Sequence, residues 1–191
     1  MQFSLKEFLL LVGFASAGMA SLLYASPAVG AVWQLLVAAL VFAAAARAWL
    51  LPGPRRVYAV GFLAVAVAYT AVLYSYGNEV SNGYRSNYEY NPGGGKMPTN
   101  KLMQQPHTWV AASRSYFVDI DGKRYPQVPP GHTIGDIYNN STGQKLVAYH
   151  VLPEAESFMT VAHCLWTLLL GYVGGKYAVW VYTRNKNTAP E

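Results

Sequence analysis

The stretch FMTVAHCLWTLLLGYVGGKYAVWVY, residues 158–182, decides the fold that we predict for this chain. It is an almost uninterrupted apolar run. At about 1.5 Å per residue, a helix of this length crosses the hydrocarbon core of a bilayer. Three further apolar runs precede it, at residues of about 5–25, 29–51 and 57–76. The sequence therefore predicts a mainly α-helical membrane protein with four transmembrane helices.

The composition agrees with this class of protein. Of the 191 residues, 53% are hydrophobic and only 12% are charged, whereas soluble domains carry about 25% charged residues. The chain has one cysteine, Cys164, which excludes an intramolecular disulfide and a zinc site built from cysteines.

A polar insert, residues 78–157, separates the third apolar run from the fourth. Its first part, residues 78–101, is rich in Asn, Gly and Tyr and shows no helical or strand periodicity. We therefore predict a flexible arm there. The part from 107 to 152 contains short runs that alternate in polarity, which predicts β structure.

Two β-hairpins are predicted in this second part. Asp121-Gly122 is the favoured dipeptide of a two-residue hairpin turn, and strand-like runs flank it. The runs at 134–138 and 145–151 suggest a second hairpin with a longer loop. The expected fold is thus four membrane helices with a small β-rich insert between the third and the fourth.

The positive charges predict the orientation. The net charge is +5 and the insert is neutral overall, so the excess lies near the helix ends. Because cytoplasmic loops are rich in Lys and Arg, we expect cytoplasmic termini, a cytoplasmic tail at 183–191 and an extracytoplasmic insert, in a bacterial inner membrane. This distribution argues against nucleic-acid binding. The topology-setting residues are Arg47, Arg55, Arg56, Arg184 and Lys186.

The first apolar run also has a second interpretation. The tripeptide at 18–20 resembles the small-residue cleavage site of a signal peptide. Gly13, Ala17 and Ser21 instead form a small-residue face on which another helix can pack closely. We favour a retained helix, and the insert is expected on the same side in either case.

A glycine pair in the fourth run has the spacing of a helix-packing motif. Gly171 and Gly175 form a GxxxG pattern, with Gly174 as a further glycine. We expect this face to pack against the small-residue face of the first helix. Association of two copies of the chain is the alternative.

His163 is the sharpest single candidate for a functional residue. It lies about one and a half turns into the fourth helix, where an unpaired imidazole is costly. One hypothesis makes it the axial ligand of a haem or chlorophyll-type ring. The simpler hypothesis, which we favour, pairs it with a backbone carbonyl or with a tyrosine such as Tyr74 or Tyr76, and no cofactor is then expected.

Three more histidines, His107, His132 and His150, lie in the insert. They are the basis for a further alternative, a membrane enzyme that uses extracytoplasmic histidines. Their spacing fits no compact metal-ligand motif, and no nucleophile motif accompanies them. We therefore predict no catalytic residue and no metal site.

The leading expectation is a non-enzymatic interaction or accessory subunit. A tyrosine-rich insert stiffened by prolines offers the aromatic contact area that protein interfaces use. The expected partners are the lipid bilayer and another membrane or extracytoplasmic protein, with a homo-oligomer as a further option.

Overall fold

A computed structural model of the protein describes residues 4–77, 97–135, 145–150 and 152–188. Within these ranges the helices are α1 (Leu5–Leu23), α2 (Pro27–Leu50), α3 (Pro54–Gly77), α4 (Pro98–Arg114) and α5 (Ala155–Thr188). The strands are β1 (Tyr116–Asp119), β2 (Arg124–Tyr125), β3 (Thr133–Ile134) and β4 (Leu146–His150).

Four helices, α1, α2, α3 and α5, are long and apolar enough to span a membrane, with mean hydropathy from 1.4 to 2.2. The predicted mainly helical fold with four long apolar helices is confirmed. With its 34 residues, α5 extends beyond the predicted span at both ends. It is about 51 Å long, which exceeds the roughly 30 Å of a hydrocarbon core.

Local sequence explains where α1 and α2 begin. Ser4 and Glu7 form a reciprocal capping box, in which each backbone N–H donates to the side chain of the other residue. The Ser26 hydroxyl accepts from the backbone N–H of Val29 at 3.3 Å. Pro27 then takes the first helical position, where its missing N–H costs nothing.

The core of the bundle lies between α2, α3 and α5. Helix α1 joins this core mainly through its contacts with α5. Gly18 is the buried residue of α1. The buried core side chains are Ala25, Trp33, Phe62, Ala66, Phe158, Val161, Cys164 and Leu168.

Glycines allow α3 and α5 to approach closely. A Cβ added at Gly174 would lie 2.4 Å from Cγ2 of Val65 and 2.8 Å from the carbonyl oxygen of Gly61. Added Cβ atoms at Gly171 and Gly175 would also lie closer than 3.0 Å to side chains of α3. The GxxxG pair therefore lies at a helix crossing, but the neighbour is α3 and not α1 as expected.

The predicted small-residue face of α1 is not its packing face. A Cβ added at Gly13 would meet nothing within 4 Å, and Ala17 is exposed. Ser21 is half-buried, and its hydroxyl bonds back to Ala17 in the same helix. The close contact falls instead at Gly18, because the bulky side chain of Leu165 fills the space above that glycine.

The insert contains a helix that we did not predict. We expected an irregular arm up to residue 101 and β structure from His107 onward, whereas Pro98–Arg114 is helical. Its buried residues Asn100, His107 and Ala111 recur with helical spacing on the side that meets α5. Packing against α5 thus outweighs the weak local propensity. The rest of the predicted arm, 78–96, lies outside the described residues.

A small four-stranded sheet lies between α4 and α5, with strand order β2-β1-β4-β3. The first predicted hairpin is present, since β1 and β2 pair antiparallel. Gly122 between them has a φ of 78°, which glycine adopts without strain.

The second predicted hairpin is replaced by a different pairing. Strand β4 pairs antiparallel with β1 over four residue pairs, whereas β3 pairs parallel with β4 over two. Strand β4 therefore lies between β1 and β3, and its ladder with β1 is the longer of the two. Residues 136–144, which the predicted hairpin included, lie outside the described residues.

Candidate functional site

Helix α4 packs along the first turns of α5. At its N-terminal end Thr99 bonds to Tyr69 of α3, and in its middle the ring of His107 meets Phe158 with centroids 4.9 Å apart. At its C-terminal end the Arg114 guanidinium donates to the carbonyl oxygen of Leu23 in α1 at 2.6 Å. We call this end of the bundle, where α1 ends and α5 begins, the insert side, and the opposite end the termini side.

A polar cluster forms where α3, α4 and α5 meet. The Tyr69 hydroxyl lies 2.8 Å from Nδ1 of His163 and 3.3 Å from Oγ1 of Thr99. A tyrosine hydroxyl has one proton. It can go to Thr99 while the Nδ1–H of His163 donates to the Tyr69 oxygen, or to Nδ1 of His163 itself. The direction of the bond between Tyr69 and His163 therefore depends on the histidine tautomer.

A tyrosine pairs with His163, as predicted, but it is a different tyrosine from those we named. It is Tyr69, which lies deeper in α3 than the expected Tyr74 or Tyr76. Tyr74 is 78% exposed, and the side chain of Tyr76 is outside the described part of the chain. Sequence spacing missed Tyr69 because the relative height of two helices depends on how they cross.

Asn100 adds an unusual group beside this cluster. It follows Thr99 in α4, it is only 7% exposed, and its Oδ1 has no hydrogen-bond partner among the described residues. Buried side-chain oxygens are normally paired. The N-cap residue Met97 also gives α4 no side-chain cap, so polar backbone groups lie next to Asn100.

The insert histidines lie apart from one another. His107 is fully buried in α4, where its Nε2–H donates to the carbonyl oxygen of Pro153 at 2.9 Å. Burial lowers the pKa of His107 below its usual range, and the bond to Pro153 offsets only part of this effect. His132 is in a loop near Pro130, and His150 is at the end of β4. Within the described ranges, no three acidic, cysteine or histidine side chains are placed to hold a metal.

Asp119 organises the β1–β2 turn. Its carboxylate accepts from the backbone N–H groups of Lys123 at 2.9 Å and Asp121 at 3.0 Å, and from the Tyr125 hydroxyl at 2.9 Å. These bonds, the one from Lys123 foremost, lower the pKa of Asp119. Asp119 is therefore a structural residue that sequence reasoning did not single out.

Several aromatic and apolar side chains of the sheet are exposed. On one face the ring of Tyr116 stacks on His150 with centroids 5.6 Å apart, and the Arg124 guanidinium lies 4.6 Å from the Tyr116 centroid. Ile120, in the turn after β1, is 74% exposed. Tyr149 lies on the opposite face, where it meets Phe117, and is 50% exposed. We call Tyr116, His150, Arg124, Ile120 and Tyr149, which belong to both faces of the sheet, the sheet surface. The sheet makes no extensive contact with the described helices.

A group of basic residues lies at the termini side. Lys176 of α5 forms an ion pair there with Glu7 of α1. The predicted topology-setting residues lie in helix ends on the same side: Arg47, Arg55, Arg56, Arg184 and Lys186.

Comparison of the chain with protein-family models, curated proteins and solved structures gives no match. Its function is therefore argued from its own residues.

Proposed function

We propose that this protein is a non-enzymatic, membrane-anchored interaction or accessory subunit that binds a partner protein through its insert. The observation that carries the proposal is the sheet surface. It exposes Ile120 and Tyr149 on a unit that does not pack extensively on the described helices. Exposed aromatic and aliphatic groups of this kind form the centre of protein interfaces.

The small size of the sheet supports the same proposal. The strands have two to five residues each, and sheets this small bury little apolar area by themselves. A partner that covers the sheet surface would stabilise it. The stacked rings of Tyr116 and His150, with Arg124 above them, offer a preformed contact area.

A capture experiment tests the interaction. The full chain is purified in mild detergent and its co-purifying proteins are identified by mass spectrometry. Ile120→Asp combined with Tyr149→Asp is expected to lose the main partner. Leu102→Ala is the control, because Leu102 is 59% exposed but lies on α4, away from the sheet. Capture of the same partner by the double variant would contradict the proposal.

We also propose that the insert is extracytoplasmic and that both termini are cytoplasmic. Arg47, Arg55 and Arg56 lie together at the termini side, and this supports the orientation because cytoplasmic loops are rich in Lys and Arg. In a Cys164→Ser background, Lys123→Cys should react with an impermeant maleimide in intact spheroplasts, and Arg55→Cys only after permeabilisation. The reverse pattern would overturn the orientation.

A second candidate function is a cofactor-binding subunit with His163 as ligand. The hydrogen bond between Nδ1 and the Tyr69 hydroxyl supports it, because a ligating histidine is normally oriented by a hydrogen bond at the nitrogen that does not bind the metal. A haem or chlorophyll-type ring would bind at Nε2 from the lipid side, since His163 lines neither of the two described cavities. The purified protein should then show a Soret band that His163→Ala abolishes and His132→Ala retains. A colourless wild-type protein from cofactor-replete cells would exclude this candidate.

A further inference from the structure

Two apolar cavities lie between α1 and the rest of the bundle. One, of about 280 Å³, is lined by Met19 and Leu22 of α1, Met103 of α4 and Trp166 of α5. The other, of about 270 Å³, lies nearer the termini side. Its walls include Glu7, Leu40, Phe62 and Tyr172, and both cavities share Leu11, Phe14 and Leu169. Because they share these walls, we treat them together as the α1 cleft.

The contacts that hold α1 across this cleft lie near its middle and at its ends. Near the middle, the Phe14 ring meets Trp33 edge to face with centroids 5.9 Å apart, and Gly18 meets Leu165. At the two ends, the backbone of Leu23 accepts from Arg114, and Glu7 pairs with Lys176. An apolar cavity of this size in water can stay empty, but it readily takes an apolar ligand. In a bilayer, lipid chains are the apolar molecules that surround it.

The cleft runs across half or more of the hydrocarbon thickness. At the rise of an α-helix it is about 15 Å long along α5, from Tyr172 to Ala162, and about 22 Å long along α1, from Glu7 to Leu22. The hydrocarbon core of a bilayer is about 30 Å thick, so one leaflet accounts for about half of that. An acyl chain that enters at the termini side therefore has the reach to fill most of the cleft.

Polar groups mark the entrance at the termini side. The Tyr172 hydroxyl is buried and has no hydrogen-bond partner in the described part of the chain. Such a donor needs an acceptor. The ester and phosphate oxygens of a phospholipid are acceptors located where an acyl chain enters the hydrocarbon.

Charge selects the kind of phospholipid. Lys6 is in the first turn of α1, Arg47 in the last turn of α2, and Arg55 and Arg56 in the first turn of α3. All four lie at the termini side, and the chain has a net charge of +5. Basic groups at helix ends attract anionic headgroups.

We propose that the α1 cleft binds one acyl chain of an anionic phospholipid from the leaflet at the termini side. The Tyr172 hydroxyl donates to an oxygen of that lipid, and the basic helix ends attract its phosphate.

A thermal-shift experiment on the delipidated full chain in mild detergent tests this site. Phosphatidylglycerol should raise the Tm, and phosphatidylcholine with the same chains should raise it less, because a ligand that binds only the folded state stabilises it. Leu11→Trp, which fills the shared wall of the cleft, should abolish the shift. Leu9→Trp should retain it, since Leu9 is 60% exposed and lines neither cavity.

Tyr172→Phe provides a second variant if Leu11→Trp folds poorly. It keeps the ring and removes the hydroxyl, so it should fold normally and show a smaller phosphatidylglycerol shift. Native mass spectrometry should find bound phosphatidylglycerol on the wild-type chain and less on both cleft variants. Equal shifts with the two lipids, an unchanged shift in Leu11→Trp, or a lipid-free dimer that Leu11→Trp dissociates would each overturn the proposal.

Discussion

The hydroxyl of Tyr69 lies 2.8 Å from Nδ1 of His163, and this contact joins α3 to α5 across a sequence separation of 94 residues. Inside a bilayer a polar group has no water to bond with, so pairing within the protein removes most of its cost. The same tyrosine also hydrogen-bonds to Thr99. One hydroxyl thus connects two of the long apolar helices with the helix of the insert.

Replacing Tyr69 by Phe should destabilise the bundle by about 1–3 kcal/mol. The reason is that His163 and Thr99 both lose a partner in a half-buried site. Unfolding in mixed detergent micelles measures the change. Tyr74→Phe is the matched control, since Tyr74 is 78% exposed on the same helix. Equal stability of the two variants would contradict the role assigned to this contact.

Gly174→Ala should separate α3 from α5 at their closest approach. The new Cβ would lie 2.8 Å from the backbone oxygen of Gly61, which cannot turn away as a side chain does. We expect a loss of about 1–3 kcal/mol, typical of overpacking. Gly13→Ala, measured in the same unfolding assay, should be neutral or slightly stabilising, because that site is open and Ala favours the helix. A similar loss in both variants would argue against close packing at Gly174.

The β1–β2 turn should weaken in acid. The folded pKa of Asp119 is below its ordinary value of 3.8, so its bonds stabilise the turn above that value and are lost as the pH falls through the folded pKa. Hydrogen exchange at the Lys123 amide should accelerate, beyond its intrinsic pH dependence, in that range. Asp119→Asn should show weak protection at every pH, whereas Asp121→Asn should behave as the wild type. If the protection factor of the Lys123 amide in the wild type did not change with pH, the stabilising role of the Asp119 carboxylate would be contradicted.

Docking of α4 should depend on pH through His107. Burial lowers its pKa below the ordinary value of 6.5. The buried neutral ring therefore contributes its full stability above that value, and the contribution decreases as the pH falls below it. Limited proteolysis within Pro98–Arg114 should be faster at pH 5 than at pH 7.5. This difference should shrink in His107→Gln and persist in His132→Gln. Identical digestion rates at both pH values in the wild type would refute the expectation.

Sequence patterns predicted the local features of this protein well. The apolar runs gave the four long helices, and Asp121-Gly122 gave the first hairpin. The prediction failed where a segment is stabilised by distant residues. Asn100, His107 and Ala111 make α4 a helix only because α5 provides the surface on which they are buried. That surface is not visible in the segment itself.

The sequence alone determined the mainly helical fold, the number of its long apolar helices and the helix ends that carry Arg47, Arg55, Arg56, Arg184 and Lys186. These properties follow from composition and from spacing along one segment. The tertiary structure decided that Gly171 and Gly175 meet α3, that β4 pairs with β1, and that Tyr69 is the partner of His163. Each of these depends on the angle and relative height at which separate elements cross, and those are set by the packing of many side chains at once.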